Sequence, residues 1–262
     1  MKMAAAIAIA IASLAIVAFG VWGSMRLREL WLDQCIITDI SRQVVVKTGQ
    51  HVKAGVILDG LGLRNGENLA LVDFKEKRQA LLQRIPNIRA LNISRHLPDR
   101  VEITVIERNP VARLGIKGSR TPTGRVVDSE GVVFSRRVGT GMLPTIREAH
   151  APGTQAGKML SSRARAALEL LMLSSREEFS GLGILEIDIS HPDYLLATLG
   201  NYQRAKIAWE GMDDLNATSR AKMASQYFYL RKTVLSNVTQ RAVMWNATME
   251  GRVTADTKEP IQ

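Results

Sequence analysis

From Met3 to Gly23 the chain reads MAAAIAIAIASLAIVAFGVWG, with no charged side chain. At roughly 1.5 Å per residue, a helix of that length crosses a hydrocarbon core of about 30 Å. Beyond it, apolar and polar positions mix at the periods of strands and helices. Cys35 to Val46 is rich in Ile and Val and predicts a strand ending near Thr48-Gly49. Val52 to Leu61 predicts a helix interrupted by Gly55 and Gly60, and Leu63 to Asn68 is turn chemistry. Asp73-Phe74-Lys75-Glu76 is a D-x-x-E capping box that starts a helix through Arg84, with Leu81, Leu82 and Ile85 on its apolar face and Pro86 as its stop. Ile88 to Ser94 and Val101 to Glu107 alternate as two strands around a tight turn, His96-Leu97-Pro98-Asp99. Strand, helix, helix, strand, strand makes a small α+β domain with its helices on one sheet face.

A second series follows. Val126 to Phe134 predicts a hairpin around Asp128-Ser129-Glu130-Gly131. Ser161 or Ser162 caps a helix to about Arg176, with Ala164, Leu168, Leu171 and Met172 on one stripe. Ile184 to Ile189, Tyr194 to Leu199 and Gln203 to Trp209 are strands separated by His191-Pro192-Asp193 and Gly200-Asn201. Thr218 to Val234 is a second helix, with a core-type stripe at Met223, Tyr227, Leu230 and Val234. The last strands are Arg241 to Met249 and Arg252 to Ala255, parted by Glu250-Gly251.

The 262 residues suit two modest domains plus the apolar segment. With 46% hydrophobic and 23% charged residues, disorder is confined to the ends. A formal charge of +10 raises the question of an anionic partner. Lys and Arg are scattered from Arg26 to Lys258 without a run of five, which reads as a basic solvated surface rather than a nucleic-acid track. Cys35 is the only cysteine, so no intrachain disulfide is available. His51, His96, His150 and His191 stand far from one another and from acidic or thiol partners, so no metal site is indicated, and nothing calls for a cofactor. No G-x-S-x-G, P-loop, H-E-x-x-H or C-x-x-C occurs. Asp188 and His191 lack a nucleophile at a plausible turn, and the Glu177-Glu178 and Asp213-Asp214 pairs read as solvated helix flanks. The expectation is a protein that binds rather than catalyses.

The apolar segment is too long for the core of a cleavable signal, and bulky Val21 and Trp22 follow the weak small-residue site at Ala18 and Gly20. Trp22 and Trp31 fit an interfacial aromatic belt, so an uncleaved anchor is expected. Lys2 on one side faces Arg26 and Arg28 on the other, so charge bias hardly decides the orientation.

Leu81 to Leu114, LLQRIPNIRALNISRHLPDRVEITVIERNPVARL, resembles the FtsQ/DivIB family of bacterial division proteins. The matching features are the helix ending in I-P-x-I, the R-x-L-P turn at Arg95 to Pro98, the I-x-V-x-E-R strand and the P-V-A that follows. Leu61 to Leu69 is similar to the family's Gly-rich stretch ahead of the helix, the Asp128 hairpin to its v-D-x-x-G-x-v-f element, and Leu143-Pro144-Thr145-Ile146 to its L-P-x-i. Two matches are loose: Trp209-Glu210-Gly211 stands where the family has L-G, and Asn246 to Met249 where it has D-l-R-Y.

The resemblance implies an α+β fold with a single N-terminal transmembrane helix, a βααββ POTRA domain, and a mixed α/β "β domain" with an antiparallel-rich sheet. The expected boundaries are a cytoplasmic tail at 1–2, the span at 3–23, a juxtamembrane linker at 24–34, the POTRA domain at 35–107, the β domain at 108–255 and a disordered tail at 256–262. Arg108-Asn109-Pro110 is expected to join the domains as a short stiff connection. The implied role is a non-enzymatic scaffold of the inner membrane, its bulk periplasmic, that recruits FtsB- and FtsL-like proteins and other divisome components. The last strand edge, Thr248 to Val253, is expected to receive the partner chain, with Thr248, Met249, Glu250, Gly251 and Val253 as its binding residues. A POTRA-bearing secretion or envelope-assembly component is the alternative.

Overall fold

The computed structural model describes residues 2–119, 121, 123–136, 138–149, 155–209, 214–236 and 244–256; side chains are described from residue 14 onward, save those of 15 and 256. Its first element, α1 (Lys2–Gln34), is one continuous helix. It runs through residues 24–34, so the expected linker is helical: Ser24 to Gln34 contains no Gly or Pro to break it. Leu14, Ile16, Val17, Phe19, Val21 and Trp22 are between 50% and 75% exposed, although they point to every side of the helix. Among the residues whose side chains are described, which leave out 1–13 and 15, no helix is long and apolar enough to cross a membrane. Clustering of the backbone gives two compact units, Met1–Glu107 and Arg108–Gln262.

In the first unit the Cys35–Val46 stretch is not one strand. Asp39 caps a single helical turn, α2 (Ile40–Gln43), by accepting from the Ser41 N–H. Gln43 Oε1 also accepts from the N–H groups of Thr38 and Asp39. Side chains that satisfy the local backbone compete here with strand pairing, and β1 is shortened to Val44–Lys47. α3 (Ala54–Leu61) tolerates both of its glycines and ends on Gly62 at φ 62°. Gly60 lets α3 approach α4 (Phe74–Arg84): a Cβ there would stand 2.2 Å from Leu81 Cδ1. The Asp73 cap of α4 forms as expected, accepting from Lys75 N and Glu76 N. β2 (Ile88–His96) and β3 (Arg100–Glu107) pair antiparallel, β1 joins β3 in parallel, and the sheet order is β1-β3-β2. Ile57, Leu61, Leu69, Leu81, Leu91 and Ile103 are among the residues that form its core. Cys35 is fully buried, and burial pushes its thiol pKa up.

The second unit is a nine-stranded sheet in the order β12-β11-β10-β9-β8-β7-β4-β5-β6. Its strands are β4 (Ala112–Ile116), β5 (Arg125–Val127), β6 (Val133–Ser135), β7 (Thr145–Glu148), β8 (Ile184–Asp188), β9 (Tyr194–Leu199), β10 (Arg204–Ala208), β11 (Met244–Met249) and β12 (Arg252–Asp256). Five neighbouring pairs are antiparallel and three, β4·β7, β7·β8 and β10·β11, are parallel. The sheet is therefore mixed and antiparallel-rich. β4 is absent from the sequence pattern, and β12 takes in Asp256, which the sequence reading gave to the tail; residues 257–262 lie outside the described residues.

Two crossovers, α5 (Ser162–Ser174) and α6 (Ala217–Ser236), lie against the sheet and share one core with it. Ala167, Leu170 and Leu171 of α5 and Met223, Tyr227 and Leu230 of α6 pack with Leu114, Ile146, Ile187, Leu195, Ile207 and Trp245. The Tyr227 hydroxyl donates to the Leu182 carbonyl, and burial raises its pKa to about 12. The other sheet face carries charge. Lys117 Nζ lies 3.2 Å from Asp188 Oδ2, and Arg147 Nε lies 2.6 Å from Glu186 Oε2. Burial alone would raise the Asp188 pKa, but hydrogen bonding from Ser190 and the Lys117 ammonium outweigh it and hold the carboxyl below its ordinary value.

Glu107 and Arg108 do not pair with each other. The Glu107 carboxylate accepts from the N–H groups of His51 and Val52, at 3.1 and 2.8 Å, and closes the loop after β1. Arg108 Nη1 reaches Asp128 Oδ2 at 2.5 Å, with side chains only 14% and 4% exposed, and Glu130 Oε2 at 3.1 Å. Asp128 Oδ1 meanwhile accepts from Glu130 N and Val132 N, so one carboxylate shapes the hairpin turn and holds Arg108. Removing one partner of a buried pair leaves a charge without compensation. Asp128→Ala is expected to cost about 3 kcal/mol, read as a lower urea midpoint with an unchanged m-value.

Candidate functional site

A sheet of this kind ends in two open edges unless something covers them. At one end the outer side of β6 is covered: Val133 N donates to Lys158 O, Gly157 N donates to Val133 O, and Val132 bridges to Met159. At the other end β12 pairs with β11 on its inner side, and among the described residues no strand lies on its outer side. Val253 and Ala255 pack against the core, whereas Arg252 and Thr254 are exposed. β12 is therefore held from one face by α6 and β11 while its outer backbone remains open.

The expected binding residues do not lie on one strand. Thr248 and Met249 end β11, Glu250 and Gly251 make the turn, and Val253 lies on β12. The edge itself runs Arg252–Asp256, one residue beyond the expected strand Arg252 to Ala255, so Thr254, Ala255 and Asp256 belong to it beside Val253. Gly251 takes φ 67°, which L side chains rarely adopt, so the two-residue turn requires glycine there. Met249 is 64% exposed, which rules out a core role for it.

The hairpin is not regular. Met244, Trp245 and Asn246 face Asp256, Ala255 and Thr254, but Met249 faces Arg252, so Ala247 and Thr248 together oppose Val253. This is a β-bulge, which leaves a backbone donor out of the ladder and increases the local twist. Asn246 Oδ1 takes up the displaced groups, accepting from Thr248 N at 3.1 Å and Thr248 Oγ1 at 2.7 Å. From beneath, Gln226 Nε2 of α6 donates to Thr248 O at 3.4 Å, and Gln226 Oε1 is buried without a hydrogen-bond partner among the described residues. On the core side, Trp245 Nε1 donates to Gln203 Oε1 at 2.9 Å and anchors β11 to the turn before β10.

Nothing in this edge offers an acid–base pair or nucleophile. Among the described residues no group of three or more His, Cys, Asp or Glu is placed to hold a metal ion. What the arrangement can do is accept an extended chain by backbone pairing, with exposed Arg252, Thr254 and Met249 reading its side chains. The bulge gives the first test of this geometry. Asn246→Ala removes the acceptor from Thr248 N, and a stability loss of about 1–2 kcal/mol is expected. Hydrogen exchange should show faster exchange at the Thr248 amide than at Trp245, which stays in the ladder.

Comparison with known proteins agrees with the first unit's architecture. Residues 41–108 match the family described as POTRA domain, FtsQ-type. Over 236 residues the chain is 25% identical to the cell division protein FtsQ of Koribacter versatilis strain Ellin345, covering 86% of this chain. The chain spans 65% of that relative's length. Both similarities support an FtsQ/DivIB-type protein.

Proposed function

We propose that this protein is a division scaffold of the inner membrane, held by residues 3–23 of α1 with its two units outside the cytoplasm. In this reading it recruits FtsB- and FtsL-like partners and other divisome components during septum formation. The role is binding, not catalysis. The observation that carries it is the asymmetry of the large sheet: among the described residues the β6 edge is covered and the β12 edge is not. The similarity to the cell division protein FtsQ supports the setting, and the POTRA match supports the family. The anchor rests on an uncharged run inside one continuous helix. At 1.5 Å per residue, residues 3–23 reach about 31 Å, the thickness of a hydrocarbon core. Exposed apolar side chains around α1 from Leu14 to Trp22 fit lipid contact, since in water they would have no partner.

The topology has a direct test. Cys35 is buried, so a membrane-impermeant maleimide should leave the native chain unlabelled. Met142 is fully exposed, and Met142→Cys should label on intact spheroplasts. Labelling that appears only after lysis would reverse the orientation.

The partner edge has a paired test. Along a strand, successive N–H groups point to opposite sides, so of Val253 and Thr254 one donates inward to β11 and one outward. Val253→Pro and Thr254→Pro each remove one of these donors. One variant is expected to lose stability, and the other to keep its melting midpoint while losing capture of an FtsB-like segment. Met249→Lys, which sets a charge beside the pairing zone, should weaken capture without altering the melt. Unchanged capture by all three would exclude this edge.

A further inference from the structure

The helix-free face of the large sheet contains a cavity far from the partner edge. It lies on β4, six strands from β12 in the sheet order, which at about 4.8 Å per strand is roughly 29 Å. Its volume is about 470 Å³, within the range of about 300–1,000 Å³ usual for small-molecule sites. Four of its thirteen lining residues are arginine (Arg113, Arg125, Arg136 and Arg147), five are Ser or Thr, and none is a carboxylate.

The sheet register explains how this chemistry converges. Arg113 lies beside Thr145 and Gly115 beside Arg147 in the parallel β4–β7 pair, so these residues share one face. Ala112, Leu114 and Ile146 point to the other face and into the core. Gly115 keeps the space open: a Cβ there would stand 3.1 Å from Thr145 Cγ2 and 3.5 Å from Arg147 Cγ. Two guanidinium groups are fixed before any ligand arrives. Arg113 Nε donates to Leu143 O at 3.0 Å; Arg147 Nη1 donates to Ile116 O at 2.9 Å and Ser119 O at 2.5 Å. Glu186 offsets Arg147, and none of the thirteen lining residues is acidic, so positive charge exceeds negative charge around the cavity.

We propose that this cavity binds a small anion bearing two phosphoryl groups, of diphosphate size. The planar guanidinium fork matches phosphate oxygens bidentately, and fixed arginines lose little side-chain freedom on binding. With Arg147 engaged by Glu186, the guanidinium groups of Arg113, Arg125 and Arg136 still exceed what one phosphate requires. Threonine and serine hydroxyls complete the donor set without adding charge. The donors converge on one cavity of about 470 Å³ rather than along a basic groove, so a nucleic-acid strand has no track to follow. The same chemistry is offered by a free diphosphate and by a lipid that carries a diphosphate headgroup.

The test uses the full chain in phosphatidylcholine nanodiscs, titrated with inorganic pyrophosphate by calorimetry and by the arginine side-chain resonances of isotope-labelled protein. Saturable one-to-one binding is expected, weakened about tenfold by Arg125→Gln and by Arg136→Gln. Gly115→Val, which fills the cavity, should abolish it; if that variant fails to fold, the arginine variants still decide. In a second arm, nanodiscs containing a lipid with a diphosphate headgroup replace pyrophosphate. Resonance shifts only in that arm assign the site to a lipid headgroup; shifts with pyrophosphate assign it to a soluble diphosphate. No saturable response in either arm, full affinity in both arginine variants, or equally tight binding of citrate would overturn the proposal.

Discussion

Two strands that lie side by side and run the same way cannot be joined by a turn, and this constraint organises the second unit. β7, β8, β10 and β11 all point in one direction, because β9 is antiparallel to both β8 and β10. Both crossovers, β7 to β8 through α5 and β10 to β11 through α6, step the same way along the sheet. Since such connections share one hand, both helices must fall on the same face. One side of the sheet is thereby buried in a continuous core and the other is left without a helix. The same progression carries the last hairpin to the end of the sheet. The bare arginine-bearing face and the open terminal strand are both consequences of how the chain winds.

Much of this was legible in the sequence, and each miss has its own physical cause. The Asp73 cap, the Pro86 stop, the β2–β3 hairpin and the α5 and α6 stripes are local signals, and each formed within a residue or two of its expected place. The Cys35–Val46 stretch failed because a glutamine side chain competed for the backbone, and apolar periodicity does not register that competition. β4 failed differently. Its sequence, Ala-Arg-Leu-Gly-Ile, is short and broken by glycine, and its neighbours β5 and β7 supply the ladder from 13 and 33 residues downstream of its own start.

The last strand was legible at Arg252 to Ala255 and extends one residue further, to Asp256, while the turn at Glu250-Gly251 leaves Thr248 and Met249 on β11 rather than on the edge. The cavity was not legible. Its arginines lie at 113, 125, 136 and 147, at intervals far longer than a helix or strand period, and in sequence they are four members of a scattered basic population. Likewise the Arg108–Asp128 pair joins two motifs that the family resemblance had set side by side without connecting. Long-range pairing of polar groups is what the one-dimensional pattern omits.

The shortness of β12 has a consequence for the kind of association it can support. Five residues bounded by a tight turn give an arriving chain only two or three outward backbone donors and acceptors, each contributing about 1 kcal/mol net in water. That sum does not offset the loss of translational freedom when two molecules meet in dilute solution. A strand docked there would exchange readily unless a second contact, or confinement of both molecules to one surface, raised its effective concentration. The geometry therefore favours an assembly that forms through many modest contacts held close together and comes apart when any one of them is withdrawn.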